Sequence, residues 1–561
     1  MRAGFPPPRP RAAPGTLRAP DRQDGRAACE RPLIALRGQN SVPGPPRRGR
    51  VVNSRPGGKP QSNAWRTRAG RHRRLTISGV GLKSRWVSVR RRRGVMAWLN
   101  HSFSGGDFDS LAAGMATSGA IESLAAIQHS RNLLLLRAVV DAARRSGHPE
   151  AAAARRGFEQ LMEVKRRAPD AAAAVIRHPS TGGWGLHALR ALRGGASPGD
   201  PPGVRPAQLA GLAAAAAVRG RSAGAFTVPV SHGVACLPSV GVLTPPGDAD
   251  TVRIVHDGRQ VVATAGGTTT PIPADGGEDA PGWRALRTLR APGPEKGEAT
   301  PEIELLLDDV DPFRFPGAAS GGDGRAERLS AAAVAELERT LAETWDLLSR
   351  HHRSSARELS GMVSTLTPLD AAGGAFRSAT SREHHGCVAL SLPVDPTQLA
   401  VTLVHEVQHG KLAAVTDAVR LLPREDGRLY YAPWRPDPRP FAGLLHGTYA
   451  FLGVGRFWRR QRWLERGERA LAAHLEYAHW RDAVRLGLVQ LGSHDRLPAL
   501  TVRFVRGMRR VLDQWCAEPV PGPAAALAAE RFNAHRERWI AANGPLPGCL
   551  RGARDLTGPV G

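Results

Sequence analysis

The sequence predicts a mainly α-helical α+β protein with a small β insertion in the middle of the chain. Three observations lead there. Ala- and Leu-rich runs of helical period fill most of residues 107–218 and 326–516. Between them lie β-branched, alternating stretches with hairpin signals, the first at Ala225 to Val230 and the last at Glu302 to Leu307. An apolar run from Leu399 to Val415 carries His405-Glu406-Val407-Gln408-His409, whose length and composition suit a buried helix.

Five segments follow in order. Residues 1–95 hold 24 of the 78 Lys and Arg and 3 of the 50 Asp and Glu, a local charge of +21. With Pro6-Pro7-Pro8, Pro45-Pro46, the run Arg90 to Arg93 and no amphipathic period, this segment cannot bury enough apolar surface to fold. It is expected to be a disordered basic extension, translated from a mis-assigned start ahead of Met96. A nucleic-acid arm and a targeting peptide are the competing readings. No apolar core with a cleavage site is visible, so it is not a secretory signal. The remaining 466 residues carry only +7, and no nucleic-acid partner is expected for them.

Residues 96–224 form an N-terminal helical region. Leu134-Leu135-Leu136 leads into Val139-Val140, Ala151 to Val164 follows, then Ala171 to Ile176. His178-Pro179 through Trp184 breaks the pattern, with a new helix expected near Trp184. Ala207 to Val218 is an Ala-rich helix. Residues 225–325 form a small β-rich region, in which Val252 to Val255 and Gln260 to Thr264 flank the hairpin turn Asp257-Gly258. Gly317 to Gly324 breaks the chain before residues 326–520, the helical region that holds the motif. Helices are expected at 329–351 and 353–361, a β-like run at Cys387 to Leu392, then the motif helix. Pro433 to Pro440 punctuates a loop, a helix begins near Phe441, and helices continue through 466–516. Residues 521–561 are read as a C-terminal tail. No run of about 18 apolar residues exists, so no membrane span is expected. The five scattered cysteines, Cys29, Cys236, Cys387, Cys516 and Cys549, suit a reducing, cytoplasmic setting.

The motif carries the chemistry. Residues four apart on a helix are neighbours, about 5–6 Å apart at Cβ, so two imidazoles can close on one metal ion. Glu406 is then left to touch a metal-bound water or a ligating group. The plainer reading is that such histidines cap or pack a helix. A third donor is needed, and His446, on the helix after the Pro-rich loop, would set a metal site between two helices. Glu383, His384 and His385 are weaker donors. Leu412 and Val415 stand where the longer H-E-x-x-H-x-x-G-x-x-H pattern has its glycine and last histidine. Arg435 and Arg439, just ahead of His446, could fork a carboxylate, and Arg382 follows the same logic. Tyr430, Tyr431 and Trp434 could wall a pocket. Leu399, Leu403, Leu412 and Val415 are expected in the core, and Gln408 and Lys411 at the solvent or the site rim.

Three stretches also carry a resemblance: Ser378 to Glu383, Ala389 to Pro393 with Thr402 to Leu412, and Tyr430 to Arg435 with Asp437 to Pro440 and Leu444 to Gly447. They resemble the HEXXH motif domain family of actinobacteria, iron- and 2-oxoglutarate-dependent peptide β-hydroxylases that modify ribosomally made peptides. The resemblance spans roughly 105–515 and departs from the family at Gly410, where a Ser is expected. It implies Fe(II) held by His405, His409 and His446, and 2-oxoglutarate held by Arg435 or Arg439. It leaves Glu406 as the catalytic residue that orients a ligand or water from behind the ligands. The implied partners are a precursor peptide and a radical maturase encoded nearby. Two other readings stay open: a zinc metallopeptidase with Glu406 as general base, and a non-catalytic precursor-peptide-binding protein with a structural metal.

Overall fold

A computed structural model of the chain describes residues 101–195, 205–273, 276–293, 302–315, 328–369, 376–392 and 394–550. The extension expected at 1–95, Met96 and the glycine break at 317–324 lie outside them.

The chain enters through helices α1 (Gly105–Ala112), α2 (Ser118–Arg145), α3 (Ala151–Arg167), α4 (Pro169–Arg177), α5 (Pro179–Ala191) and α6 (Leu209–Arg219). Ser104 and Thr117 cap α1 and α2 through their hydroxyls. The break expected from His178 to Trp184 is one residue wide. Pro179 takes the first position of α5, where a missing N–H costs nothing, and the helix runs on through Gly182 and Gly183. Those glycines are there for packing: a β-carbon at either would overlap the Glu383 carbonyl or the His384 ring.

Seven strands follow: β1 (Gly224–Ser231), β2 (Val234–Leu237), β3 (Gly241–Leu243), β4 (Thr251–His256), β5 (Val261–Ala265), β6 (Thr268–Ile272) and β7 (Trp283–Ala285). They make an antiparallel sheet in the order β6-β5-β4-β1-β2-β3-β7. The expected hairpin joins β4 and β5, with Gly258 at φ +103° and Asp257 Oδ1 accepting the Arg259 and Gln260 N–H groups at 2.7 Å. Along β4 burial alternates residue by residue, and the buried side shares one core with the alanines of α6.

The β structure is not one small insertion. β8 (Arg287–Ala291) and β9 (Ile303–Leu307) leave the first sheet and join strands from the motif region. After α7 (Ala331–His351) and α8 (Arg353–Met362) come β10 (Thr365–Leu369), β11 (Ser378–Ala379) and β12 (Cys387–Ser391). The second sheet runs β11-β12-β10-β9-β8, with β9, β10 and β12 parallel. β12 is buried at every position, and that removes the alternation by which a strand is read from sequence. The motif helix α9 (Pro396–Ala418) follows. A short pair, β13 (Leu429–Tyr430) and β14 (Arg439–Pro440), leads into α10 (Phe441–Gln461), α11 (Gly467–Gly492), α12 (Ala499–Cys516) and α13 (Gly522–Asn543).

The expected C-terminal tail therefore contains a 22-residue helix. It is held by packing of Trp539 on Tyr431 and by Arg531 donating to Glu476 at 2.6 Å. The whole is a helix-rich α+β fold with several sheets. No helix among the described residues is long and apolar enough to cross a membrane.

Candidate metal centre

α9 starts as its sequence directs. Asp395 caps it by accepting the Gln398 N–H at 2.9 Å, and Pro396 occupies the first turn. Packed among α7, α8 and α10, it is buried on nearly all sides from Leu399 to Val415. Leu399, Leu403, Leu412 and Val415 are fully buried core, as expected.

His405 and His409 project from one face of α9, with their Nε2 atoms 3.1 Å apart. Two nitrogens at about 2.0–2.1 Å from one ion stand roughly 3 Å apart or slightly more, so this pair already has the spacing of a chelate. α10 supplies the neighbours: Phe451 lies edge-on to His405 at 4.8 Å, and His446 faces His409 with ring centroids 5.8 Å apart and planes 25° apart. Among the described residues, no group of three or more His, Cys, Asp or Glu is arranged to hold a metal as it stands. His405 and His409 converge, and the His446 ring stands beside them without completing a three-donor group. The Nδ1 atoms of all three histidines are buried without a hydrogen-bond partner. Burial presses the imidazoles toward neutrality, His405 to about 3 and His446 to about 4, with Arg382 adding to the effect on His446. For His409, burial and its two neighbouring histidines act in the same direction. Neutral imidazoles with unused nitrogens fit a first-row divalent ion, zinc as well as iron.

Glu406 faces the other way. It is 1% exposed, and both carboxylate oxygens are occupied: Ser378 Oγ donates to Oε1 and Thr380 Oγ1 to Oε2, each at 2.8 Å. Burial pushes its carboxyl up to about 7, against the pull of the two hydroxyls. The same segment reaches α9 a third time, two residues on. Arg382 Nε donates to Asp417 Oδ1 at 2.6 Å and Nη2 meets the same oxygen. Residues 378, 380 and 382 thus face α9 in the period of two of an extended chain. Asp417 Oδ2 accepts from Gln128 Nε2 at 3.0 Å and lies 3.4 Å from Arg131 Nε.

The Pro-rich loop arranges its own charges. Arg435 Nε lies 2.8 Å from Asp437 Oδ1 and Arg439 Nη1 lies 3.3 Å from Asp437 Oδ2. Arg439 also crosses Gly443, one helical turn before His446. Of the aromatics in this loop, Trp434 reaches the centre's neighbours, packing on Gly447 and Phe451. Tyr431 turns away to His535 and Trp539, and Tyr430 packs on Phe441. His384 is bonded to the Phe313 carbonyl and Glu383 to Ser381, away from the histidine pair. His385 lies against Gly410, next to His409.

Gln408 and Lys411, expected at the rim, are 1% and 0% exposed. Lys411 Nζ donates to Glu358 Oε2 at 2.7 Å and to the Gly114 carbonyl at 3.1 Å. Gln408 Nε2 and Arg456 Nη1 donate to that same carbonyl. Two roles were missed in the sequence, the hydroxyl grip of Ser378 and Thr380 and the Arg382–Asp417 pair. Polar residues at alternate positions 378, 380 and 382 were the available signal. The chain matches no protein-family model and no curated protein.

Proposed function

We propose that this protein is an Fe(II)- and 2-oxoglutarate-dependent hydroxylase of a ribosomally made precursor peptide. Bound iron and 2-oxoglutarate supply an oxidation in which one atom of O2 goes to succinate, with loss of CO2, and the other to a peptide β-carbon. His405, His409 and His446 are the residues that would hold the ion. Phe451 and Trp434 keep the α10 side of the centre apolar, which strengthens the electrostatics inside it. Arg382, bound to α9 through Asp417, and Arg435 and Arg439, on the segment that leads into α10, are the cations that would serve a dicarboxylate.

Glu406 is the observation that favours this reading over a zinc peptidase. A peptidase base needs a carboxylate oxygen aimed at the metal-bound water. Here both oxygens are turned to Ser378 and Thr380 and taken by their hydroxyls. A carboxylate so held supports the helix behind the ligands and suits a role in orienting them.

The test uses the full chain loaded anaerobically with Fe(II), then given 2-oxoglutarate, air and a short peptide encoded beside its gene. Succinate release with gain of one oxygen atom by the peptide is expected, and Glu406→Gln should keep the metal and part of the activity. Peptide cleavage by the zinc form, abolished in Glu406→Gln, would make the protein a peptidase. Tight peptide binding with neither product would make it a non-catalytic binder.

A further inference from the structure

We infer that residues 431–438 form a flap over the histidine centre and that α13 is the strap that holds the flap shut. The inference rests on the histidines being the metal centre and not on the reaction carried out there.

The flap is a loop closed at its neck. β13 and β14 bring Tyr430 opposite Arg439, so the chain between them leaves and returns at one place, as in an Ω-loop. Its inner side is Trp434. The indole packs so tightly on Gly447 that a β-carbon there would lie 2.4 Å from it, and it meets the Phe451 ring at 4.9 Å. Gly447 follows His446, and Phe451 lies edge-on to His405, so Trp434 covers the α10 side of the centre. The neck is pinned to α11, where Gln490 accepts the Tyr431 N–H at 3.0 Å and donates to the Tyr431 carbonyl at 2.8 Å. The outer side of the flap belongs to α13. His535 Nδ1 lies 2.9 Å from the Tyr431 hydroxyl, Trp539 packs edge-on to the Tyr431 ring at 5.1 Å, and Asn543 Nδ2 donates to the Pro436 carbonyl at 2.8 Å.

α13 is tied down at both ends. Before it, Glu518 accepts from Arg459 at 2.6 Å and from Arg462 at 2.7 Å, and Arg462 also donates to the Pro519 carbonyl at 2.9 Å. After it, the turn Gly548–Leu550 meets α11 and buries Leu550. Between these anchors the helix buries Ala524, Ala528, Phe532 and Trp539 and leaves its other side chains partly or fully exposed. An element with so few buried side chains opens at far lower cost than the core around α9. With the strap lifted, the flap turns out at its neck and uncovers the centre.

The experiment follows amide hydrogen exchange by mass spectrometry in the full-length, metal-free protein, together with the rate at which a chromophoric chelator strips zinc from the zinc-loaded protein. In Trp539→Ala the amides of residues 431–438 should exchange about tenfold faster or more, while those of α12 keep the parent's rate. Tyr431→Phe and Asn543→Ala each lose one hydrogen bond and should raise flap exchange about 3- to 10-fold. These two carry the test if Trp539→Ala folds poorly. Zinc release should rise with flap exchange across the series. Trp434→Ala should release zinc faster at parent-like exchange in α13, because it removes the inner hold of the flap and leaves the strap intact. Exchange that rises equally in the flap and in α12 makes α13 plain scaffold and overturns the inference. Parent-like exchange and zinc release in all three strap variants overturn it as well. A parent protein that binds no zinc removes the metal centre, and the strap then stands or falls on the exchange data alone.

Discussion

The two sides of α9 are both largely buried and opposite in character. On one side Lys411 has a carboxylate and a carbonyl for its ammonium, and Gln408 and Arg456 close on the same carbonyl. On the other, His405 and His409 share one short contact and leave their Nδ1 atoms unpartnered. Buried polar groups are almost always paired, and leaving one unpaired costs about 1–3 kcal/mol. The Lys411 side, where the buried ammonium is matched although Gln408 Oε1 has no partner, holds the helix in place. The histidine side is the one on which the proposed ion would sit. What separates the two sides is the pairing of their ionisable groups: the Lys411 ammonium meets a carboxylate, and the two histidines meet only each other.

That contrast can be broken from the scaffold side first. Lys411→Ala or Glu358→Ala leaves a buried charge alone and should destabilise the fold by about 3–5 kcal/mol in chemical denaturation. Replacing both with apolar residues should recover most of the loss. If either single variant unfolds like the parent, the Lys411 side is not the brace. Next comes the grip on Glu406. Ser378→Ala and Thr380→Ala should each lower stability by about 1–3 kcal/mol, since each strips a hydrogen bond from a buried carboxylate. Iron content should survive both changes, and parallel loss of metal would move Glu406 into the ligand set. On the histidine side, His409→Ala should change the stability of the metal-free protein by less than about 1 kcal/mol, because the ring has no hydrogen-bonded partner beyond His405 and its buried Nδ1 is left unpaired in the parent. The same variant should hold less than about a tenth of the parent's metal in equilibrium dialysis. A large stability loss with full metal occupancy would reverse the assignment of the two sides. The smallest effect is expected at Asp437→Asn, within about 1 kcal/mol and with no change in metal, because its carboxylate is 43% exposed and its ion pairs are partly open to solvent.

The motif helix, its boundary near Phe441 on the next helix, and the β4–β5 hairpin were legible because periods of 3.6 and 2 are local properties. The pairing of Arg435 and Arg439 with Asp437 was also there to be read, since alternate residues of an extended segment share a side. What could not be read depends on distant partners. Lys411 looks like a rim residue until Glu358, 53 positions earlier, is seen beside it. Arg382 looks like a loop cation until Asp417 supplies its brace, 35 residues on. The second sheet is hidden for a related reason. β9, β10 and β12 are separated by helices and a loop, and no local pattern announces that they pair.

The Gly114 carbonyl, which takes donors from α9 and α10, has a consequence for biosynthesis. Its partner Lys411 is 297 residues further along the chain. At about 5–20 residues per second on the ribosome, the α1–α2 turn waits roughly 15–60 s for the groups that fix it. Until α12 follows, later still, the apolar side of α1 that meets it stays uncovered. The nascent chain therefore offers chaperones a long window at its start.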